Sequence, residues 1–147
     1  MIILDQAIHL GPLWVCHKRA SIHFSETHLA KLMKATRAFA LSSGMTALDI
    51  ITRLVSSGQE IIAGNDLYGG TNRLLAFLKS SHGIVVHHVD TTDTNAVKNV
   101  LNSNTRLVLL ESPTNPLIKI CDIAGIARLT HTDVSPNALV VVDNTMV

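Results

Sequence analysis

At 147 residues, with a net charge of +1, 47% hydrophobic and 16% charged residues, the chain has room for one hydrophobic core rather than two comfortable domains. Its 12 basic residues are scattered and only 3% of residues are aromatic, which argues against a nucleic-acid surface, and no apolar run reaches membrane-spanning length. Cys16 and Cys121 make no disulfide framework, so a reducing, cytoplasmic setting is expected; Met1-Ile-Ile-Leu4, interrupted by Asp5 and His9, makes a poor signal peptide.

Residues 1 to 24 show no sustained period; Gly11-Pro12 punctuates them and His17-Lys18-Arg19 reads as a solvated patch. A helix is expected from about Ser25 to Ala35, with Leu29, Leu32 and Met33 as its apolar stripe. Phe39 to Leu41 read as the end of a buried strand, which turns at Gly44 into a helix. Its apolar face is Ala47, Ile50, Ile51, Leu54 and Val55, at i, i+3, i+4, i+7, i+8, and Gly58 is read as its C-cap. Glu60 to Gly64 is a strand, and Leu74, Leu75 and Leu78 mark a helix ending by Gly83. Ile84 to Val89 is a strand, and Thr91-Thr-Asp93 caps a helix carrying Ala96, Val97, Val100 and Leu101. Leu107 to Leu110 is a strand, Ile123 to Leu129 a short helix, and Ala138 to Val142 a continuous apolar strand. Between the last two strands, Glu111-Ser-Pro-Thr-Asn-Pro116 is barred from helix by its prolines.

Strands without polar alternation, separated by helices of about ten residues, predict an α/β fold: a mostly parallel sheet with helices on both faces. Four polar loops, Ser42-Gly44, Asn65-Tyr68, Glu111-Pro116 and Asp143-Thr145, each follow a predicted strand. In a parallel sheet they share the carboxyl edge, where such folds bind ligands. The helix start at Ser43-Gly44-Met45 suits an anion, because its first N–H groups lack intrahelical partners and lie at the positive end of the dipole. Structural readings stand beside these: Tyr68 capping the sheet edge, Asp143 capping a helix, Glu111 bracing the proline loop. His87 and His88 point to opposite faces of one strand and make no metal pair.

Two cofactors could use this edge. A dinucleotide site needs G-x-G-x-x-G; here one glycine is followed by the bulky Met45, although Asp66 sits at a suitable distance for a ribose. Pyridoxal phosphate (PLP) needs a phosphate cradle, an aromatic face and an acid that keeps the pyridine nitrogen protonated. Gly44-Met45, Tyr68 and Asp143 can supply these in turn.

Leu41-Ser-Ser-Gly-Met-Thr-Ala-Leu48, Ala63-Gly-Asn-Asp-Leu-Tyr-Gly-Gly-Thr-Asn-Arg73, Leu110-Glu-Ser-Pro-Thr-Asn-Pro116 and Val141-Val-Asp-Asn-Thr145 resemble, in order and spacing, the successive motifs of the Cys/Met-metabolism family of fold-type I PLP-dependent enzymes. The resemblance covers residues 27 to 147, which would be part of the aspartate aminotransferase-like large domain, with residues 1 to 26 a divergent segment. Within the family, Leu67 to Arg73 and His87 to Thr92 are most similar to the cystathionine β-lyase branch, with the γ-synthase and γ-lyase branches as alternatives. The resemblance implies that the N–H groups of Gly44 and Met45 hold the phosphate, and that Tyr68 stacks on the ring and acts in catalysis at the leaving group. It further implies that Asp143 binds the pyridine nitrogen, Thr145 lies against the opposite face, and Asn115 contacts the ring hydroxyl or the substrate carboxylate. The expected substrate is an amino-acid thioether, and the expected assembly a homotetramer of dimers with shared sites.

The chain also departs from the family pattern. None of its six lysines stands in the Ser-Ala-Thr-Lys-like motif of the family's cofactor-bearing lysine, and Tyr68, its only tyrosine, leaves none for the Tyr-x-Arg segment that reaches the neighbouring subunit. Inactivity alone is therefore expected; a non-catalytic oligomerisation module and a dinucleotide-binding domain are the other readings. Five strands also predict an uncovered sheet edge and self-association.

Overall fold

The computed structural model describes residues 2–4, 7–10, 19–131 and 135–145; Gly11-Pro12 and His17-Lys18 lie outside them. The described elements are β1 Ile2–Leu4, β2 Ala7–Leu10, α1 Arg19–Leu32, β3 Arg37–Phe39, α2 Gly44–Thr52, β4 Glu60–Gly64, α3 Gly69–His82, β5 Val85–Val89, α4 Thr94–Val100, β6 Thr105–Glu111, α5 Ile123–Thr130 and β7 Leu139–Asp143. Together the strands form a seven-stranded sheet in the order β3-β1-β2-β7-β6-β4-β5. The block β2-β7-β6-β4-β5 is parallel, and β1 pairs antiparallel with both β2 and β3. Two antiparallel steps cancel in direction, so β3 points the same way as β7 and its carboxyl end reaches the same edge of the sheet.

The apolar runs of β4, β6 and β7 arise because these strands are buried on both faces. Side chains alternate across a strand, sending Ile61, Ala63, Leu107, Leu109 and Val141 into one cluster with Leu48 and Ile51 of α2 and Leu75 and Leu78 of α3. Their neighbours Ile62, Val108, Leu110, Val140 and Val142 enter a second cluster with Val97 of α4 and Ile126 of α5. The mostly parallel sheet with helices on both faces is thus present. Helix boundaries follow local chemistry: Ser43 Oγ accepts from Thr46 N at 3.1 Å, Asp93 caps α4 by accepting from Asn95 N, and Gly83 ends α3 at a φ of 65°, where a side chain would be strained.

Several expectations need correction. The sheet has seven strands, not five, because Ile2–Leu4 and Ala7–Leu10 pair with each other; runs of three or four residues are too short to show a period. β3 is an edge strand with only Ala38 buried and Phe39 40% exposed, so it is not a buried strand. In α1, Ala30 meets Ala38, with Leu29 packed beside them, while Leu32 and Met33 are exposed. In α2 the buried face is Ala47, Leu48, Ile51 and Thr52, and Ile50 and Leu54 face outward. At about 100° per residue both arcs are narrow enough to be a helix face, and docking onto the sheet selects between them. The helix ends at Thr52, with Arg53 as its C-cap, so Gly58 serves the following turn instead.

At the opposite edge of the sheet, Glu60 ties β4 to its neighbours. Its Oε2 accepts from Asn102 Nδ2 at 2.8 Å and lies 2.6 Å from His87 Nε2. The Asn102 bond, followed by His87 and opposed by burial, holds the carboxyl below its usual 4.5. A carboxyl lowered on folding contributes stability that is present above its ordinary value and lost as pH falls through the lower folded value. The urea midpoint should therefore drop on acidification below about pH 4.5, and Glu60→Gln should flatten that slope. An unchanged slope would show that the clasp carries no stability.

Candidate functional site

All four polar loops open onto one cavity of about 310 Å³, lined by Ser43, Gly44, Met45, Leu48, Tyr68, Glu111, Asn115, Asp143 and Thr145. This is near the lower end of the roughly 300–1,000 Å³ usual for small-molecule sites. A larger hollow, about 490 Å³, lies between α1 and β3 and is lined by Ala30, Ala35, Ala38 and Phe39 together with polar and charged residues including Lys31 and Arg37; the Glu26 carboxylate there already accepts from Ala40 N at 2.6 Å.

The structure brings together all six residues singled out from the sequence. Gly44 and Met45 begin α2, so their N–H groups have no intrahelical acceptor, and the space where a Cβ of Gly44 would project is open. The hydroxyls of Ser42 and Ser43 lie 3.2 and 2.9 Å from Thr46 Oγ1, a small hydroxyl cluster beside the backbone N–H groups of this helix start. Tyr68 precedes α3 and is 49% exposed, with no capping bond from its own side chain. Asp143 ends β7, and its Oδ1 accepts from Thr145 N at 3.1 Å and from Thr145 Oγ1 at 2.5 Å. Asn115 lies in the proline loop, where Thr114 N donates to Lys119 O and Lys119 N donates to Thr114 Oγ1.

Two features were not assigned to a site from sequence. Gly70 is the first: a Cβ there would stand 2.4 Å from Tyr68 Cε1 and 3.0 Å from Met45 Sδ, so its missing side chain makes room for the aromatic ring and the methionine. The doubled glycine after Tyr68 was the available signal. Glu111 is the second, and it does brace backbone as expected, although across loops. Only 4% exposed, it accepts from Tyr68 N at 2.9 Å and stands in register with Asp143 on the adjacent strand. Burial, then the charges of Asp143 and Asp66, push its carboxyl above the usual range against the opposing Tyr68 and Asn115 N–H groups. Asp66, weighed as a ribose ligand, instead accepts from Leu117 N at 3.2 Å; that carboxylate is engaged within the rim.

Electrostatically the cavity is mixed. Its lining combines free N–H groups at a positive helix terminus with Glu111 and Asp143 side by side, and no lysine, arginine or histidine is among the lining residues. A molecule with an anionic group at one end, a flat ring, and a protonatable nitrogen at the other matches this arrangement, and PLP has those parts.

Comparison with known proteins agrees. Residues 20–147 match the family described as Cys/Met metabolism PLP-dependent enzymes. Over 121 residues, 82% of the chain, the sequence is 60% identical to cystathionine β-lyase of Neurospora crassa and 51% identical to that of Schizosaccharomyces pombe. The chain spans 26% and 31% of the lengths of those relatives. The crystal structure of MetB from Corynebacterium glutamicum superposes with a TM-score of 0.75 at 42% identity, covering 81% of this chain and 30% of that one. Motifs, sheet and cavity therefore have one common explanation: the chain belongs to the Cys/Met-metabolism family of PLP-dependent enzymes.

Proposed function

We propose that the chain forms the cofactor-facing part of a PLP-dependent carbon–sulfur lyase that cleaves cystathionine by β-elimination to homocysteine, pyruvate and ammonia. The γ-synthase and γ-lyase reactions are the alternatives; the family resemblance implies a homotetramer, and the cysteine usage a reducing, cytoplasmic setting. The observation that carries the reading is the single cavity uniting the α2 start, Tyr68, Asn115 and Asp143. When bound, PLP supplies an electron sink for the pair released as a proton leaves the substrate's α-carbon.

The chain's own residues then divide the work of holding ring and substrate. The N–H groups of Gly44 and Met45 would hold the phosphate. Tyr68 would stack on the ring and act at the leaving group as the catalytic residue of this segment. Asp143, its Oδ1 oriented by Thr145, would keep the ring nitrogen protonated, and Thr145 would contact the ring from the other side. Asn115 offers its amide to the ring hydroxyl or the substrate carboxylate. Glu111 and Asp143 in register would repel one another when both are ionised, and a cationic ring nitrogen relieves that repulsion. None of the described lysines lines the cavity, so binding rather than turnover is the readout for this chain.

The test is calorimetric titration with 4′-deoxypyridoxine 5′-phosphate, which keeps ring and phosphate but has no aldehyde to react with stray lysines. Saturable one-site binding that inorganic phosphate displaces is expected, and no binding would refute the reading. Gly70→Ala should weaken that binding about 2- to 10-fold by displacing the Tyr68 ring, the equivalent of the roughly 0.5–1.5 kcal/mol of one aromatic contact. Unfolding stability should fall by no more than about 1–3 kcal/mol, the crowding of the added methyl against Tyr68 and Met45 being offset in part by alanine's better helix propensity. Unchanged affinity in Gly70→Ala would remove Tyr68 from the binding face.

A further inference from the structure

The loop of residues 65–68 after β4 is joined to the end of β6 and to the loop of residues 112–121 that follows it by two hydrogen bonds of opposite sense. Tyr68 N donates to Glu111 Oε2 at 2.9 Å, and Leu117 N donates to Asp66 Oδ2 at 3.2 Å. Each arm thus contributes one carboxylate and one backbone donor. The residues of the first pair are 43 apart in sequence and those of the second 51, so neither bond is a local turn.

The chemistry of Glu111 is unusual for a simple brace. A carboxylate buried to 4% exposure beside a second one in register is costly, and a neutral hydroxyl or amide could fill the same space. Among uncharged alternatives, however, each also presents a donor, which would face N–H groups. An ionised carboxylate is acceptor-only and makes charge-assisted bonds to backbone N–H, here to Tyr68, with the Asn115 N–H acting in the same sense. Apart from the Asn72 N–H that its carbonyl accepts at the start of α3, the Glu111 bond is what fixes the Tyr68 backbone, since its side chain makes no capping bond and the residue is half exposed.

We propose that Glu111 and Asp66 form a reciprocal clasp between the β4 and β6 arms, in which Glu111 is the positioning residue that fixes Tyr68 over the cavity. The ring that Tyr68 meets is taken from the cofactor reading above; the clasp itself rests on the two hydrogen bonds.

The experiment uses the 147-residue chain, following amide exchange and chemical shift of Tyr68, its only tyrosine, with Leu109 as a core reference and 4′-deoxypyridoxine 5′-phosphate as the probe. In Glu111→Gln, Tyr68 amide protection should fall about tenfold or more, the scale of one hydrogen bond to a charged group. Leu109 protection should be unchanged and probe affinity should fall by a similar factor. In the unsubstituted chain the Tyr68 amide shift should follow a carboxyl titration that Glu111→Gln abolishes; this profile needs no destabilising variant and a generic packing role would not produce it. Asp66→Asn should give the same pattern at smaller amplitude. Equal Tyr68 protection and an unaltered pH profile in Glu111→Gln would overturn the clasp, even if the unsubstituted chain binds the probe and the cofactor reading stands. Conversely, a chain that binds no probe but whose Tyr68 protection depends on Glu111 would uphold the clasp and remove the cofactor reading.

Discussion

Asp143→Asn is expected to weaken binding of 4′-deoxypyridoxine 5′-phosphate by about 10- to 100-fold, because a hydrogen bond between ionised partners contributes roughly 1.5–3 kcal/mol. Asp143 ends β7, in register with the buried Glu111, and its Oδ1 is held by both donors of Thr145. A carboxylate fixed in this way favours a protonated ring nitrogen, while the isosteric amide keeps the shape and loses the charge. The signature is therefore twofold. Bound to the unsubstituted chain, the analogue should keep its ring nitrogen protonated to a higher pH than in water, as read from its ultraviolet spectrum. In Asp143→Asn that displacement should vanish along with most of the affinity. If affinity and ring titration are the same in both proteins, the ring does not sit against Asp143 and the orientation proposed for the cofactor is wrong.

The second large effect is on stability. Leu109→Ala and Leu110→Ala should each destabilise the fold by about 2–5 kcal/mol in urea unfolding, a large part of the roughly 5–15 kcal/mol available to a domain of ordinary stability. The two residues are adjacent on β6, yet Leu109 packs with α2 and α3 and Leu110 with α4 and α5. Because their side chains enter separate clusters, the double variant should lose more stability than either single one, any departure from the sum measuring coupling through the backbone of β6. A sheet covered on one face only would give one large value and one small, and that result would contradict the two-sided core.

Much of this organisation was legible because it is local. Continuous apolar runs at Ile61–Ala63, Leu107–Leu110 and Leu139–Val142 reflect strands buried on both faces, and Gly83, Asp93 and Ser43 mark helix ends through their own backbone chemistry. The anion-seeking start of α2 and the acid at the end of β7 could be read for the same reason. By contrast, the Ile2–Leu4 and Ala7–Leu10 strands were too short to carry a period, and the face α2 buries was misread at two positions, Leu48 and Thr52 being buried where Ile50 and Leu54 were expected, because overlapping arcs of that helix are apolar.

What the amino-acid order determined by itself was which residues form strands, where the helices begin and end, and which loops carry polar chemistry, since each depends on periodicity and capping within a few residues. What only the tertiary structure decided was how those pieces meet: the place of β3 beyond a hairpin at one end of the sheet, the register that sets Glu111 beside Asp143, the gap at Gly70 that admits the Tyr68 ring, and the crossed bonds of Asp66 and Glu111. Those relations depend on strand pairing and packing between distant segments, and a local pattern reports that a residue is buried without reporting against what.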